Sequence, residues 1–184
     1  MDVILASRSP RRLNLLQSAG LTVEVRVPGA DESCEPDEDA ISLVLRLAAA
    51  KADTQRKAAL PVIAADTLVV IDDDVIGQPK DRGQAAHMIE RLAGREHKVI
   101  TGVCVRCNEA FRTDVVSTSV RFRSVTEEEI DTYLDHNDYL DKAGAYAIQD
   151  GAASFVEETR GPLDNVIGLP VHRTMQLLAE AVRA

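Results

Sequence analysis

The residues best suited to chemistry gather at two points of the sequence. Ser7-Arg8-Ser9-Pro10-Arg11-Arg12 crowds hydroxyl and guanidinium groups into one short stretch, in which Ser9-Pro10 has the form of a helix N-cap followed by proline at the first helical position. A helix start offers unpaired backbone N–H groups and the positive end of the helix dipole, and arginine adds donors matched to phosphate oxygens. Cations at that end of a helix are mildly unfavourable by themselves, so Arg11 and Arg12 point to an anionic ligand rather than to a plain cap. The second point is Asp66, set between Val62-Ile63-Ala64-Ala65 and Leu68-Val69-Val70. An ionised carboxylate in such a strand is costly unless a cation, a metal or hydrogen bonds meet it, and groups of that kind concentrate in catalytic sites. The alternative is a strand-edge aspartate facing water. Thr67, the next residue, points to the opposite side of a regular strand and need not share the task of Asp66.

Other polar groups are less decided by sequence. Lys51 lies beside an apolar helical stripe, where it either snorkels to solvent or meets a partner. Glu32 is one carboxylate in an acidic loop with Asp31, Glu35, Asp37, Glu38 and Asp39, and nothing local singles it out. Asp141-Lys142-Ala143-Gly144-Ala145-Tyr146 and Ile148-Gln149 join charge to a glycine-flexible turn, followed by an amide able to read a base edge. The same pattern also fits a structural turn with a surface glutamine. His87, His97, His136 and His172 are scattered without ligand spacing. Cys104-x-x-Cys107 has no second pair, and residues three apart on a strand face opposite sides, so packed or half-exposed thiols are expected there and at Cys34.

The elements that must carry these groups can be read from periodicity and turn chemistry. Val3 to Ala6 reads as a buried strand, Pro10 to Ala19 as a helix closed by Gly20, and Leu21 to Val27 as a strand. A polar loop from Pro28 to Asp39 leads to a long helix from about Asp39 to Lys57, with Ile41, Val44, Leu45, Ala48 and Ala52 inward. Pro61 to Ile71, the turn Asp72-Asp73-Asp74 and Val75-Ile76 suggest a hairpin, followed by a helix ending near Gly94 with Ala85, Ile89 and Leu92 inward. His97 to Cys107 and Arg112 to Arg123 read as two strands able to pair, and Thr126-x-x-Glu129 opens a helix through Ile130, Tyr133 and Leu134. A short strand around Ser154 to Val156, a loop, and a last helix begun by Pro170 complete the chain.

Strands and helices mixed over one core predict an α/β or α+β fold. At 184 residues and 45% hydrophobic content the chain can bury a substantial core as one domain or two small lobes. The 28% charged residues leave no long uncharged apolar run for a membrane span. The opening run, Met1 to Ala6, is too short for a secretory signal, and three cysteines are an odd count that suits a reducing compartment, so a cytoplasmic protein is expected. A net charge of −9 argues against a nucleic-acid scaffold, while a small phosphorylated substrate remains compatible if positive charge is concentrated locally.

Six motifs in order resemble the Maf family of nucleoside triphosphate pyrophosphatases over nearly the whole chain. They are Leu5-Ala6-Ser7-x-Ser9-Pro10-Arg11-Arg12-x-x-Leu15-Leu16, Leu47-Ala48-x-x-Lys51-Ala52, Ala65-Asp66-Thr67, Leu92-x-Gly94-x-x-His97-x-Val99-x-Thr101, Asp141-Lys142-Ala143-Gly144-Ala145-Tyr146-x-Ile148-Gln149 and Asn165-Val166-x-Gly168-Leu169-Pro170. The resemblance implies a single domain over 1–184, with an elongated mixed sheet, flanking helices and a central cleft, similar to inosine triphosphate pyrophosphatases and usually homodimeric. It implies hydrolysis of a nucleoside triphosphate to the monophosphate and pyrophosphate, aided by a divalent cation, magnesium or manganese. Asp66 matches the family's catalytic proton acceptor; Ser7, Arg11, Arg12, Glu32 and Lys51 match its phosphate- and metal-site positions, with Glu32 and Asp66 as the metal carboxylates.

Subgroups of the family differ at three positions, and Arg12, Thr67 and Gln149 resemble the set found in enzymes acting on dTTP and UTP, including modified pyrimidine nucleotides. A subgroup preferring 7-methyl-GTP carries an aromatic residue at position 12, which a methylated cationic purine would favour by cation–π stacking and which arginine would repel. A nucleotide-binding regulator of septum formation without turnover is a further alternative that the family's history suggests. Two departures bear on affinity: Gln78 replaces the family's lysine before Pro79, so the phosphate contact expected there is missing unless Lys80 reaches in from two residues on, and Leu163 replaces a frequent tyrosine.

Overall fold

In the computed structural model the described residues are 1–33, 35 and 38–184; Cys34 and Asp37, read above as a thiol and as part of the acidic loop, lie outside them. The elements run β1 (Asp2–Leu5), α1 (Pro10–Ser18), β2 (Thr22–Val25), α2 (Ala40–Asp53), β3 (Val62–Ile71), β4 (Asp74–Ile76), α3 (Arg82–Leu92), β5 (Glu96–Cys107), β6 (Ala110–Phe122), α4 (Glu127–His136), β7 (Val156–Arg160), α5 (Leu163–Ile167) and α6 (Val171–Val182). Among the described residues the strands form a mixed sheet in the order β2-β1-β3-β5-β6-β7, with β4 paired to β3. β1 runs parallel to both β2 and β3, whereas β4 and β7 are antiparallel to their neighbours. The expected α/β class holds. No helix among the described residues is long and apolar enough to cross a membrane.

The chain divides into two compact units, and β3, β5 and β6 each contribute residues to both. In the first unit, Met1–Thr67, Ile100–Val116 and Gly168–Ala184, strand alternation sorts the side chains into two apolar layers. Val3, Leu5, Ile63, Ala65, Val103 and Val105 pack with Leu16 of α1 and Leu177 and Leu178 of α6. Ile4, Ala6, Val62, Ala64 and Cys104 pack with Ala48 and Ala52 of α2. Burial on both faces is what a parallel strand pair covered by helices requires, and it explains the uninterrupted apolar runs. Cys104 and Cys107 do fall on opposite layers, and burial pushes the Cys104 thiol up to about 12. Helix α2 comes unusually close to β5 at Gly102, where a Cβ would stand 2.5 Å from the Val44 carbonyl oxygen.

The second unit, Leu68–Val99 and Ser117–Ile167, has its own core, in which Val69, Ile71, Val99, Val120 and Phe122 meet the inward faces of α3 and α4. The β3–β4 hairpin turns through Asp72 and Asp73, both at positive φ (51° and 66°), the backbone of the tight turn that matches strand twist. Thr126 and Glu129 form the expected capping box at α4.

Three expectations need correction. The strand placed near Ser154 is a short 3-10 turn at Ala152–Phe155, and the true strand is Val156–Arg160 on the sheet edge, where charge is tolerated because one side meets water. Leu163–Ile167 is helical but, at five residues, too short to show periodicity. Helix α2 ends at Asp53, and its buried stripe is Leu43, Val44, Leu47, Ala48, Lys51 and Ala52, rotated so that Ile41 is exposed.

Candidate active site

Strand β1 delivers Ser7 to the foot of α1. Ser7 is buried, and its Oγ accepts from the Ser9 backbone N–H at 3.1 Å and from Arg12 Nη1 at 3.3 Å. Ser9 caps the helix by accepting from the Arg12 N–H at 3.4 Å, Pro10 follows at the first position, and no acidic residue occupies the first turn. The positive helix end is therefore left uncompensated by this helix's own first turn, with Arg8 exposed and Arg11 half-buried beside it.

Arg12 turns inward. Its Nε donates to Gly168 O at 2.8 Å, Nη1 to Ala65 O at 2.8 Å, and Nη2 to Thr67 Oγ1 at 3.0 Å. With the bond to Ser7, four of the five guanidinium N–H groups have protein acceptors. Thr67 Oγ1 also lies 3.3 Å from Gly168 O and 3.0 Å from Thr101 Oγ1. Since Thr67 has one proton and its carbonyl partner can only accept, Thr101 is the donor to Thr67 when that proton goes to Gly168. Burial lowers the Arg12 pKa from its ordinary value, against the raising pull of Asp66, and a guanidinium remains charged in any protein setting. Thr101 and Gly168 stand 34 and 101 residues from Thr67, so no local pattern could announce this cluster.

Asp66 emerges on the other face of β3, toward α2. Its Oδ1 accepts from Lys51 Nζ at 2.6 Å, and the same ammonium lies 3.3 Å from Glu32 Oε2. Lys51 is 6% and Asp66 7% exposed, whereas Glu32 is exposed. Lys51 therefore does not snorkel; it has the partner that sequence left open. Its place in the last turn of α2 also sets the ammonium at the negative end of that helix. A buried pair of this kind returns little net stability, because desolvation offsets most of the Coulombic gain. Its chemistry is the better reason for its presence: a carboxylate from the middle of β3 and an ammonium held together, with a second carboxylate in reach.

Lys80 and Gln149 belong to the second unit, and both are exposed. The Lys80 backbone N–H donates to Gln84 Oε1 at 2.7 Å, and Gln78 Nε2 donates to Asp141 O at 3.1 Å. Two further buried polar groups of this unit were not singled out by sequence. Lys142 is 4% exposed, with its ammonium 2.8 Å from Asp141 Oδ1 and 3.7 Å from Asp150 Oδ2. His97, set aside for lack of ligand spacing, is 2% exposed and lies 2.8 Å from Tyr146 Oη through Nε2. Desolvation lowers the His97 pKa to about 4, so its ring is neutral at pH 7.

The profile of Maf-like proteins matches residues 2–181. A dTTP/UTP pyrophosphatase of Anaeromyxobacter dehalogenans (strain 2CP-1) is 45% identical over 186 residues, covering 97% of this chain and 93% of that protein. Proteins of the same description from Symbiobacterium thermophilum and Clostridioides difficile are 42% and 41% identical, each over 97% of this chain and 93% and 94% of their own lengths. Among solved structures, the Ham1 protein of Staphylococcus aureus superposes with a TM-score of 0.56 at 12% identity, covering 98% of this chain and all of that one. A HAM1 protein of Coxiella burnetii gives 0.51 at 13% identity with equal coverage. At such identities the likeness is one of fold.

Proposed function

The chain belongs to the family of Maf-like proteins, and we propose that it hydrolyses nucleoside triphosphates, dTTP and UTP in preference, to the monophosphate and pyrophosphate. The observation that carries the reading is the buried Lys51–Asp66 pair with Glu32 alongside. Asp66 accepts a proton from water as that water attacks phosphorus, the α–β bridging P–O bond breaks, and pyrophosphate leaves with the bond's electrons. Lys51, Arg11, Ser7 and Lys80 offset or orient the charged phosphate oxygens. Arg12, Thr67 and Gln149 act on the choice of base.

The carboxylates fit a hard divalent cation. Among the described residues no group of three or more Asp, Glu, His or Cys side chains is placed to hold a metal ion by itself, and Glu32 and Asp66 are the carboxylates that would hold magnesium or manganese. When bound, the ion supplies positive charge to phosphate oxygens. Lys51 lies within ion-pair distance of both carboxylates and holds them near one point. A cytoplasmic homodimer completes the proposal.

Asp66→Asn keeps the shape of the side chain and removes the proton acceptor. Pyrophosphate release from dTTP and UTP is expected to fall by a factor of at least ~10², with the unfolding transition retained. Turnover within a few fold of the parent would overturn the reading. A protein that only binds nucleotide would instead show thermal stabilisation by triphosphate with no pyrophosphate release in the unaltered chain.

A further inference from the structure

The segment from Lys142 to Asp150 is held at more points than a surface turn requires. Gly144 and Ala145 both sit at positive φ (71° and 61°), the second an alanine in a conformation that only glycine adopts freely. Such a backbone persists only where its surroundings over-determine it, a condition that recurs at functional sites. The Gly144 N–H donates to Gly77 O at 3.0 Å, and the Ala147 N–H donates to Tyr133 Oη at 3.1 Å. Between these anchors Tyr146 Oη meets His97 Nε2 at 2.8 Å. The His97, Tyr146 and Phe122 rings pack edge to face, with centroids 4.9 to 5.5 Å apart. Two residues beyond Ala147 the chain surfaces at Gln149.

His97 is an expensive way to fill this space. Its Nδ1 is buried with no hydrogen-bond partner among the described residues, a penalty that an apolar side chain would avoid. What the imidazole adds is a directional bond to the Tyr146 hydroxyl, which sets the height and rotation of the turn that presents Gln149. We infer that His97 and Tyr146 are positioning residues for base selection, acting through Gln149 and touching no substrate themselves. This rests on the reading of Gln149 as a base-recognition residue.

Tyr146→Phe removes the hydroxyl and keeps the ring; His97→Leu removes the bond from the other side; His97→Gln can return an amide to the position of Nε2. The assay compares kcat and KM for UTP and GTP, with Gln149→Ala and the Gln149→Ala/Tyr146→Phe double variant alongside. Tyr146→Phe and His97→Leu are expected to raise KM for UTP by about five- to ten-fold, with kcat within about twofold and the GTP constants unmoved. His97→Gln recovers most of the loss, and the double variant is no worse than Gln149→Ala alone. Should Tyr146→Phe leave the UTP KM in place while Gln149→Ala raises it, the brace is refuted and the role of Gln149 stands. An unchanged KM in Gln149→Ala would bring down both. A uniform rise across UTP and GTP, or a fall in kcat, also refutes the brace. If His97→Leu does not fold, Tyr146→Phe, which keeps its packing, decides the matter.

Discussion

Arg12 and His97 show how much a single side chain can be asked to do in this protein. Arg12 reaches acceptors on α1's own approach, on β3 and at Gly168, so whatever it contributes to substrate choice is coupled to holding Thr67 in place. His97 has a measurable signature of a different kind. Its folded pKa of about 4 lies below the ordinary value of 6.5, so between these limits the unfolded chain binds more protons than the native one. Native stability is therefore complete above pH 6.5 and declines as pH falls toward 4, by roughly 3 kcal/mol from this group. Urea unfolding across that window should show the decline, and in His97→Gln the part due to this residue should vanish. If the variant loses stability over the same window as steeply as the parent, the buried neutral imidazole is not its source.

At the scale of elements, the approach of α2 to β5 depends on Gly102, because a Cβ there would meet the backbone of Val44 and Leu45 rather than a yielding side chain. Gly102→Ala is expected to cost about 1–3 kcal/mol by denaturant unfolding. It should also lower pyrophosphate release, since moving α2 carries Lys51 away from Asp66, although no catalytic side chain has been altered. A variant with full activity and unchanged stability would show that the contact is not needed. Elements with strong local grammar were legible in sequence: the Ser9-Pro10 helix start, the aspartate turn after Ile71, and the capping box at Thr126. Those decided by distant partners were not. The edge strand at Val156–Arg160 reads, past Val156, as polar loop until its pairing with β6 is known, and the choice for Lys51 between solvent and a partner stays open until α2 is set against β3. For the candidate site, residue types and order pointed to Asp66 and the arginine loop, whereas Thr101, Gly168 and the His97–Tyr146 bond join residues dozens of positions apart.

For the whole molecule, a chain of net charge −9 is proposed to take a polyanionic substrate, which places the burden on local cations against an unfavourable average field. The two compact units have separate apolar clusters, but β3, β5 and β6 pass residues to both, so neither can lose its strands without disturbing the other's. A single cooperative transition is expected, with calorimetric and van't Hoff enthalpies equal. Two resolved transitions would show that the units fold independently. The alternation along β3 has a consequence for how such a protein can change over time. Asp66 faces the lysine and Thr67 faces the arginine, one peptide bond apart yet separated by the thickness of the sheet. On the proposed roles, substitutions that alter base choice fall on the Thr67 face and those that alter bond cleavage on the Asp66 face, with the Ser7–Arg12 hydrogen bond joining the two.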